Sequence, residues 1–172
     1  MVIVLLQVII YGLNKWADLF TPRQGLMLIT LTRLVREIGK KIAIENESGF
    51  VKAVQSFLAC GVDREAEHSS SLCRWNSSGQ KMQATFGRQA LPMLWDSCET
   101  NPFGGSVGSW ESIITVILIP FQTALSLQRA GQIERSSAIT HPLPNDLAQA
   151  FITDPPYYDS VPYADLADFF YV

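Results

Sequence analysis

Four consecutive residues, Asp154-Pro155-Pro156-Tyr157, have the types and spacing to act on a planar amino group. The lone pair of such a nitrogen is delocalised into its ring, so the nitrogen is a poor nucleophile. Two acceptors remedy this. The Asp154 carboxylate and the backbone carbonyl of Pro155 each accept one N–H bond and draw the nitrogen toward tetrahedral geometry. The prolines fix φ at about −65° and hold that carbonyl rigidly. Tyr157 offers a ring on which a base turned out of a duplex stacks. Orientation and electrostatics then supply most of the rate, and no strong general base is required. An ordinary Asp-Pro-Pro turn is the competing reading of the same residues.

Such a tetrapeptide has to be positioned by its neighbours. Residues 148–153 (AQAFIT) form a short apolar run bounded by prolines, which reads as a buried strand. The motif then falls on the loop at that strand's carboxyl end, where doubly wound sheets hold their ligands. Pro162 opens a last amphipathic segment, YADLADFFYV.

The front of the chain reads as helical. Thr21-Pro22 is an N-cap followed by proline at the first helical position. Leu26, Ile29, Leu31, Leu34, Val35 and Ile38 recur near a helical period with Arg33, Arg36, Lys40 and Lys41 interleaved, so a helix is expected over 22–44, broken by Gly49. A second helix is expected over 50–68, with Val51, Val54, Phe57, Leu58 and Val62 on its apolar face. Residues 69–88 are polar and read as a long loop, the kind that is often functional. They carry Arg74, Lys81 and Arg88, interleaved with Trp75 and Phe86. Cations hold phosphate and aromatics stack on bases, so the pattern suits nucleic acid; equally, the two aromatics can pin the loop to a core. A short helix is expected over 90–98, then a Gly-rich turn, NPFGGSVGSW. Ser109 is placed to cap a helix over 110–130, kinked or divided by Pro120 and ended by Gly131. Its all-round apolar stretch, 113–121, is expected to be deeply buried.

Taken together, YGLNKWADLFTPRQ, SSSLCRWNSSGQKMQATFGRQALPMLWD, NPFGGSVGSW and TDPPYYDSVPYADLADFFYV resemble a bacterial and archaeal DNA methylase family, the group with domain of unknown function 1156. The tetrapeptide itself resembles the signature of methyltransferases that use S-adenosyl-L-methionine (AdoMet) on exocyclic amino groups. The resemblance implies a longer DNA methylase, adenine N6 more than cytosine N4, with this chain as an internal part. It implies an amino-group clamp of Asp154, Pro155, Pro156 and Tyr157, with Tyr158 and Asp159 in the same extended motif. It also implies AdoMet as cofactor and DNA as partner. The fold expected is α/β: a mainly helical segment over 1–130, joined to part of a Rossmann-like AdoMet methyltransferase sheet over 131–172.

The family's cofactor loop lies far upstream of its D-P-P-Y. Phe103, Gly104 and Gly105 are the one local alternative. Against them, WDSCET before them is not an apolar strand, and too few residues intervene before Asp154 for the usual β-α-β units. A structural turn capping the next helix is the other reading. Ser136-Ser137-Ala138 likewise read either as a strand end lining the adenine side of the cofactor or as a plain strand-to-turn transition.

Composition sets the outer limits. The 172 residues are 48% hydrophobic and 17% charged, enough for a core and not a disordered composition. The net charge of −3 argues against a protein that coats nucleic acid. The charge is uneven: residues 1–90 carry 11 basic and 7 acidic groups, and residues 91–172 carry 2 and 9. Three widely spaced cysteines and two histidines assemble no zinc pattern, and a reducing, cytoplasmic setting fits them. Residues 1–10 (MVIVLLQVII) are about half the ~20 needed to span a bilayer and lack a basic leader, so a buried strand or short core helix is expected there. The aromatic run FFYV at the other end suggests a piece of a longer protein. Three functions stay open: the amino-methylating enzyme, a helical nucleic-acid-binding insert of such an enzyme, and a structural fragment without activity of its own.

Overall fold

The longest helices start where side chains can satisfy the first free N–H groups. In the computed structural model, which describes residues 7–87, 90–124, 131–137, 139–140, 143–144, 146–158 and 161–171, α1 spans Pro22–Ile42. Thr21 Oγ1 accepts from Gln24 N at 3.3 Å, and Gln24 Oε1 accepts from Thr21 N at 2.8 Å. This reciprocal box, with Pro22 at the first position, is the start that the sequence announces. The helix stops at Ile42, whose carbonyl accepts from the Asn46 amide at 2.9 Å. The break therefore falls at 43–47, not at Gly49, which lies in the first turn of α2 (Ser48–His68).

Helices α1 and α2 pack side by side. One contact is at Gly39, where the Gln55 amide occupies the space a Cβ would take; the same amide donates to the Val35 carbonyl at 3.4 Å. The inward stripe of α1 runs through Gln24, Leu28, Val35 and Gly39. Leu26, Ile29, Leu34 and Ile38 of the expected apolar face are exposed.

Residues 69–88, expected as a loop, contain a hairpin. Strands β1 (Arg74–Asn76) and β2 (Lys81–Gln83) pair antiparallel, with Arg74 opposite Gln83, Trp75 opposite Met82 and Asn76 opposite Lys81. Residues 90–98, expected as a helix, are instead irregular and extended: Ser97 bridges to Arg74, and Cys98 N donates to Cys73 O at 2.9 Å. Nine residues are too few for a self-standing helix, Pro92 lacks an N–H, and Leu91 is drawn wholly into the core.

Ser109 caps α3 (Trp110–Ala124) as expected, its Oγ accepting from Ser112 N at 3.3 Å. Pro120 lies inside this helix, and residues 125–130 fall outside the described residues. The expectation of deep burial over 113–121 is corrected: Ile113 is buried, while Val116, Leu118, Ile119 and Phe121 are exposed. The helix packs on one side only, where Trp110 and Ile114 meet Gly61 of α2. Residues 148–153, expected as a strand, have no regular structure, and Ile152 is 94% exposed. A strand needs a second strand beside it, and among the described residues the only paired strands are those of the hairpin. The hairpin is the one sheet among the described residues, so the α/β class consists here of four helices and a two-stranded antiparallel sheet. At the N-terminal end, Gln7–Tyr11 forms a 3-10 helix with Val8 buried, and residues 1–6 lie outside the described residues.

The chain divides into two compact units: Met1–Ile119 with Pro162–Val172, and Pro120–Val161. The first is built on Val8, Leu19, Leu72, Leu91 and Phe169, the last from helix α4 (Tyr163–Tyr171). The Phe169 ring meets Trp16, Phe20, Phe86 and Phe170 at centroid distances of 5.9, 5.7, 5.0 and 4.9 Å. Phe86 thus pins the end of the 69–88 segment to the core. Removing the Phe169 ring should leave a cavity at the meeting point of five chain segments. Phe169→Ala is expected to lower unfolding free energy by about 3–5 kcal/mol in urea denaturation, while the exposed Phe103→Ala stays within about 0.5 kcal/mol.

Candidate functional site

Asp154-Pro155-Pro156-Tyr157 lies in the Pro120–Val161 unit, without regular structure and exposed throughout. Carboxylate, prolyl carbonyl and phenol ring follow one another along open chain. Tyr158 beside them is also exposed, and Asp159 lies outside the described residues. Ser136 and Ser137 are exposed as well. Ser137 forms a small turn, its Oγ accepting from Ile139 N at 3.3 Å and its carbonyl from Thr140 N at 3.1 Å. No strand ends there, and Ala138 lies outside the described residues.

The Gly-rich loop closes on itself. Asn101 Oδ1 accepts from Phe103 N at 3.0 Å, and Asn101 O accepts from Gly104 N at 3.0 Å. Pro102 O accepts from Trp110 N at 2.9 Å. The glycine whose freedom is used is Gly108, at φ +87, where a Cβ would strike Met82 Cε. Phe103 is 91% exposed, and a Cβ added at Gly105 would meet nothing within 4 Å. Residues 103–105 therefore do not fit AdoMet: the N–H groups of Phe103 and Gly104 are spent inside the loop, which serves as the lead-in to the α3 cap.

On the hairpin, strand alternation separates what the sequence interleaves. Arg74 and Lys81 share one face, with Asn76 and Gln83, and Arg74 Nε donates to Gln83 Oε1. Trp75 and Met82 share the other; Met82 is buried and Trp75 is 56% exposed. Arg88 lies outside the described residues.

A buried polar cluster at the end of α2 is absent from the sequence expectations. Ser70 Oγ and Thr85 Oγ1 lie 2.7 Å apart, and Thr85 Oγ1 donates to Glu67 O at 2.6 Å. His68 Nδ1 lies 2.8 Å from Arg64 O, which makes Nδ1 the protonated nitrogen. Burial pushes the imidazole's pKa down. Glu65 is fully buried; Oε1 accepts from Ser69 Oγ at 3.0 Å, and Oε2 has no hydrogen-bond partner. Desolvation raises its carboxyl from the ordinary 4.5 to about 7, against the opposing pull of the Ser69 hydrogen bond. The helical phase of Val51, Val54, Leu58 and Gly61, continued by one turn and two, would have pointed to Glu65 and His68 as buried. An apolar groove of about 1280 Å³ runs along α1, α2 and α4, past Phe20, Ile29 and Phe170, and none of the expected site residues lines it.

The raised Glu65 carboxyl makes stability depend on pH. The folded chain keeps a proton that the unfolded chain releases above about pH 4.5, so this stabilisation is complete below that pH and is lost as pH rises through 7. The loss is on the order of 3 kcal/mol. Glu65→Gln should abolish it, so that the variant gains on the unaltered chain between pH 5 and pH 8.5 in urea denaturation. Equal pH slopes in the two chains would refute the assignment. His68 titrates in both chains and drops out of the comparison.

Among the described residues no helix is long and apolar enough to cross a membrane, and no group of three or more His, Cys, Asp or Glu is placed to hold a metal ion. Comparison of the chain with protein-family models, with curated proteins and with solved structures gives no match.

Proposed function

We propose that this chain is part of an AdoMet-dependent DNA methyltransferase that methylates an exocyclic amino group, adenine N6 foremost. One observation carries the reading: Asp154-Pro155-Pro156-Tyr157 supplies a carboxylate, a rigid carbonyl and an aromatic ring in unbroken succession, on chain open to solvent. Asp154 and the Pro155 carbonyl accept the two N–H bonds of the amino group, and Tyr157 stacks on the ring that bears it. AdoMet supplies the methyl group. Residues 103–105 do not cradle it, so in this reading it is held by the Rossmann-like sheet of the complete methylase. In the complete enzyme, Asp154→Ala should lower methyl transfer from labelled AdoMet to unmethylated DNA by about 10²-fold or more, with the thermal melt unchanged. Transfer at the unaltered rate would sink the clamp.

A second reading, a nucleic-acid-binding piece without catalysis, is favoured by the shared face of Arg74 and Lys81 on an exposed hairpin. Phosphate contacts release counterions, so binding of a DNA duplex should weaken steeply with salt. Arg74→Ala and Lys81→Ala should each reduce the slope of log K against log salt by about 1. A slope that neither substitution changes excludes this face.

A further inference from the structure

We propose that Cys73 and Cys98 form a redox pair, which a small disulfide such as oxidised glutathione converts into an intramolecular disulfide. The pairing follows from backbone register. Arg74 and Ser97 form an antiparallel bridge, so Cys73 and Cys98, one residue outside it on either strand, stand directly opposite each other. Cys98 N donates to Cys73 O at 2.9 Å, which fixes that register. Opposite residues of an antiparallel pair project their Cβ atoms from the same face, with Cα atoms about 4.5–5.5 Å apart. A disulfide spans Cα separations of about 4.4–6.8 Å, so no backbone movement is needed to form one. Both thiols are free in this structure.

The two cysteines differ in ways that order the reaction. Cys98 is half-buried and within reach of a reagent, whereas Cys73 is completely buried. Cys73 Sγ accepts from Ser70 N at 3.4 Å and lies 3.6 Å from Thr85 Oγ1. Burial, and next to it the neighbouring Cys73, hold the Cys98 thiol above its ordinary pKa, so the first step quickens with rising pH. In that step the Cys98 thiolate attacks one sulfur of glutathione disulfide, forming a mixed disulfide and expelling one glutathione thiolate. Cys73 then attacks the Cys98 sulfur, the Cys73–Cys98 bond forms, and the second glutathione leaves. Two protein thiols are oxidised, one glutathione disulfide is reduced, and the two thiol protons end on two glutathiones. The link closes a covalent ring around residues 74–97 and fastens the base of the hairpin that presents Arg74 and Lys81.

Cys60, exposed on α2, is a built-in control and is removed for the test. Cys60→Ser chain, folded and at pH 8.5, is incubated with glutathione disulfide, then denatured, assayed for free thiols and mapped by non-reducing peptide mass spectrometry. The expected result is loss of both thiols, a mass lower by two hydrogen atoms, and a Cys73–Cys98 cross-linked peptide. The proposal is overturned by a glutathione adduct that persists on Cys98 with Cys73 still free. It is equally overturned if both thiols survive under conditions in which Cys60 of the unaltered chain is glutathionylated.

Discussion

Phe169 reaches the core from the C-terminal helix, and four aromatic rings, Trp16 and Phe20 of one segment, Phe86 of another and its own neighbour Phe170, surround it. Around that ring the first unit buries Val8, Leu19, Leu72 and Leu91, a core of few side chains. At about 1.5–3 kcal/mol for each fully buried side chain, no one of them is dispensable. The closure is made across long stretches of sequence, yet loop-closure entropy grows only with the logarithm of length. A distant aromatic segment therefore costs little more to recruit than a near one. That is why α4 can complete a core whose other members all precede residue 92.

The helical pair depends on that core at one end only. Near their far ends α1 and α2 meet where Gly39 lets the Gln55 side chain in, and a polar contact does the work an apolar side chain does elsewhere. At the near end the same economy of apolar contact gives a hydrogen-bonded cluster of Ser69, Ser70, Thr85 and the Glu67 carbonyl. Such a network holds one geometry firmly because nearly every member is satisfied. Glu65 Oε2 is the exception, and the carboxyl compensates by retaining its proton to higher pH.

Helix starts were legible because they are local. Thr21-Pro22 with Gln24, and Ser109 ahead of Trp110, each solve the problem of free N–H groups within one turn. The hairpin was not legible, because Arg-Trp-Asn and Lys-Met-Gln are only three residues each, too short for their polar–apolar–polar alternation to stand out, and the turn takes its left-handed residue from Gln80 (φ 46) rather than glycine. Burial was misjudged where apolar residues near a helical period were taken to mark the buried stripe. Leu26 and Ile29 look like core and are exposed, whereas Glu65 looks like surface and is buried, because the contact with the rest of the unit selects one stripe of each helix. Residues 148–153 failed for the complementary reason: an apolar run specifies a strand only when another strand stands beside it.

The candidate site shows how far a motif outruns its framework. Asp154 to Tyr157 could be read as an amino-group clamp because every atom it needs lies within four residues. What holds those atoms in place is not local. An acceptor pair must be fixed to within about 0.5 Å to favour a transition state over a ground state. Exposed chain without regular structure reaches that precision only by ordering when its ligand binds, and each residue so fixed costs about 1–2 kcal/mol of backbone entropy. Pro155 and Pro156 reduce this cost, since their φ angles are set before any ligand arrives. Asp154 and Tyr157 lack a ring-fixed φ, so the clamp reading asks the substrate, or the sheet of a complete enzyme, to set the backbone of the two residues that carry the acceptor and the ring.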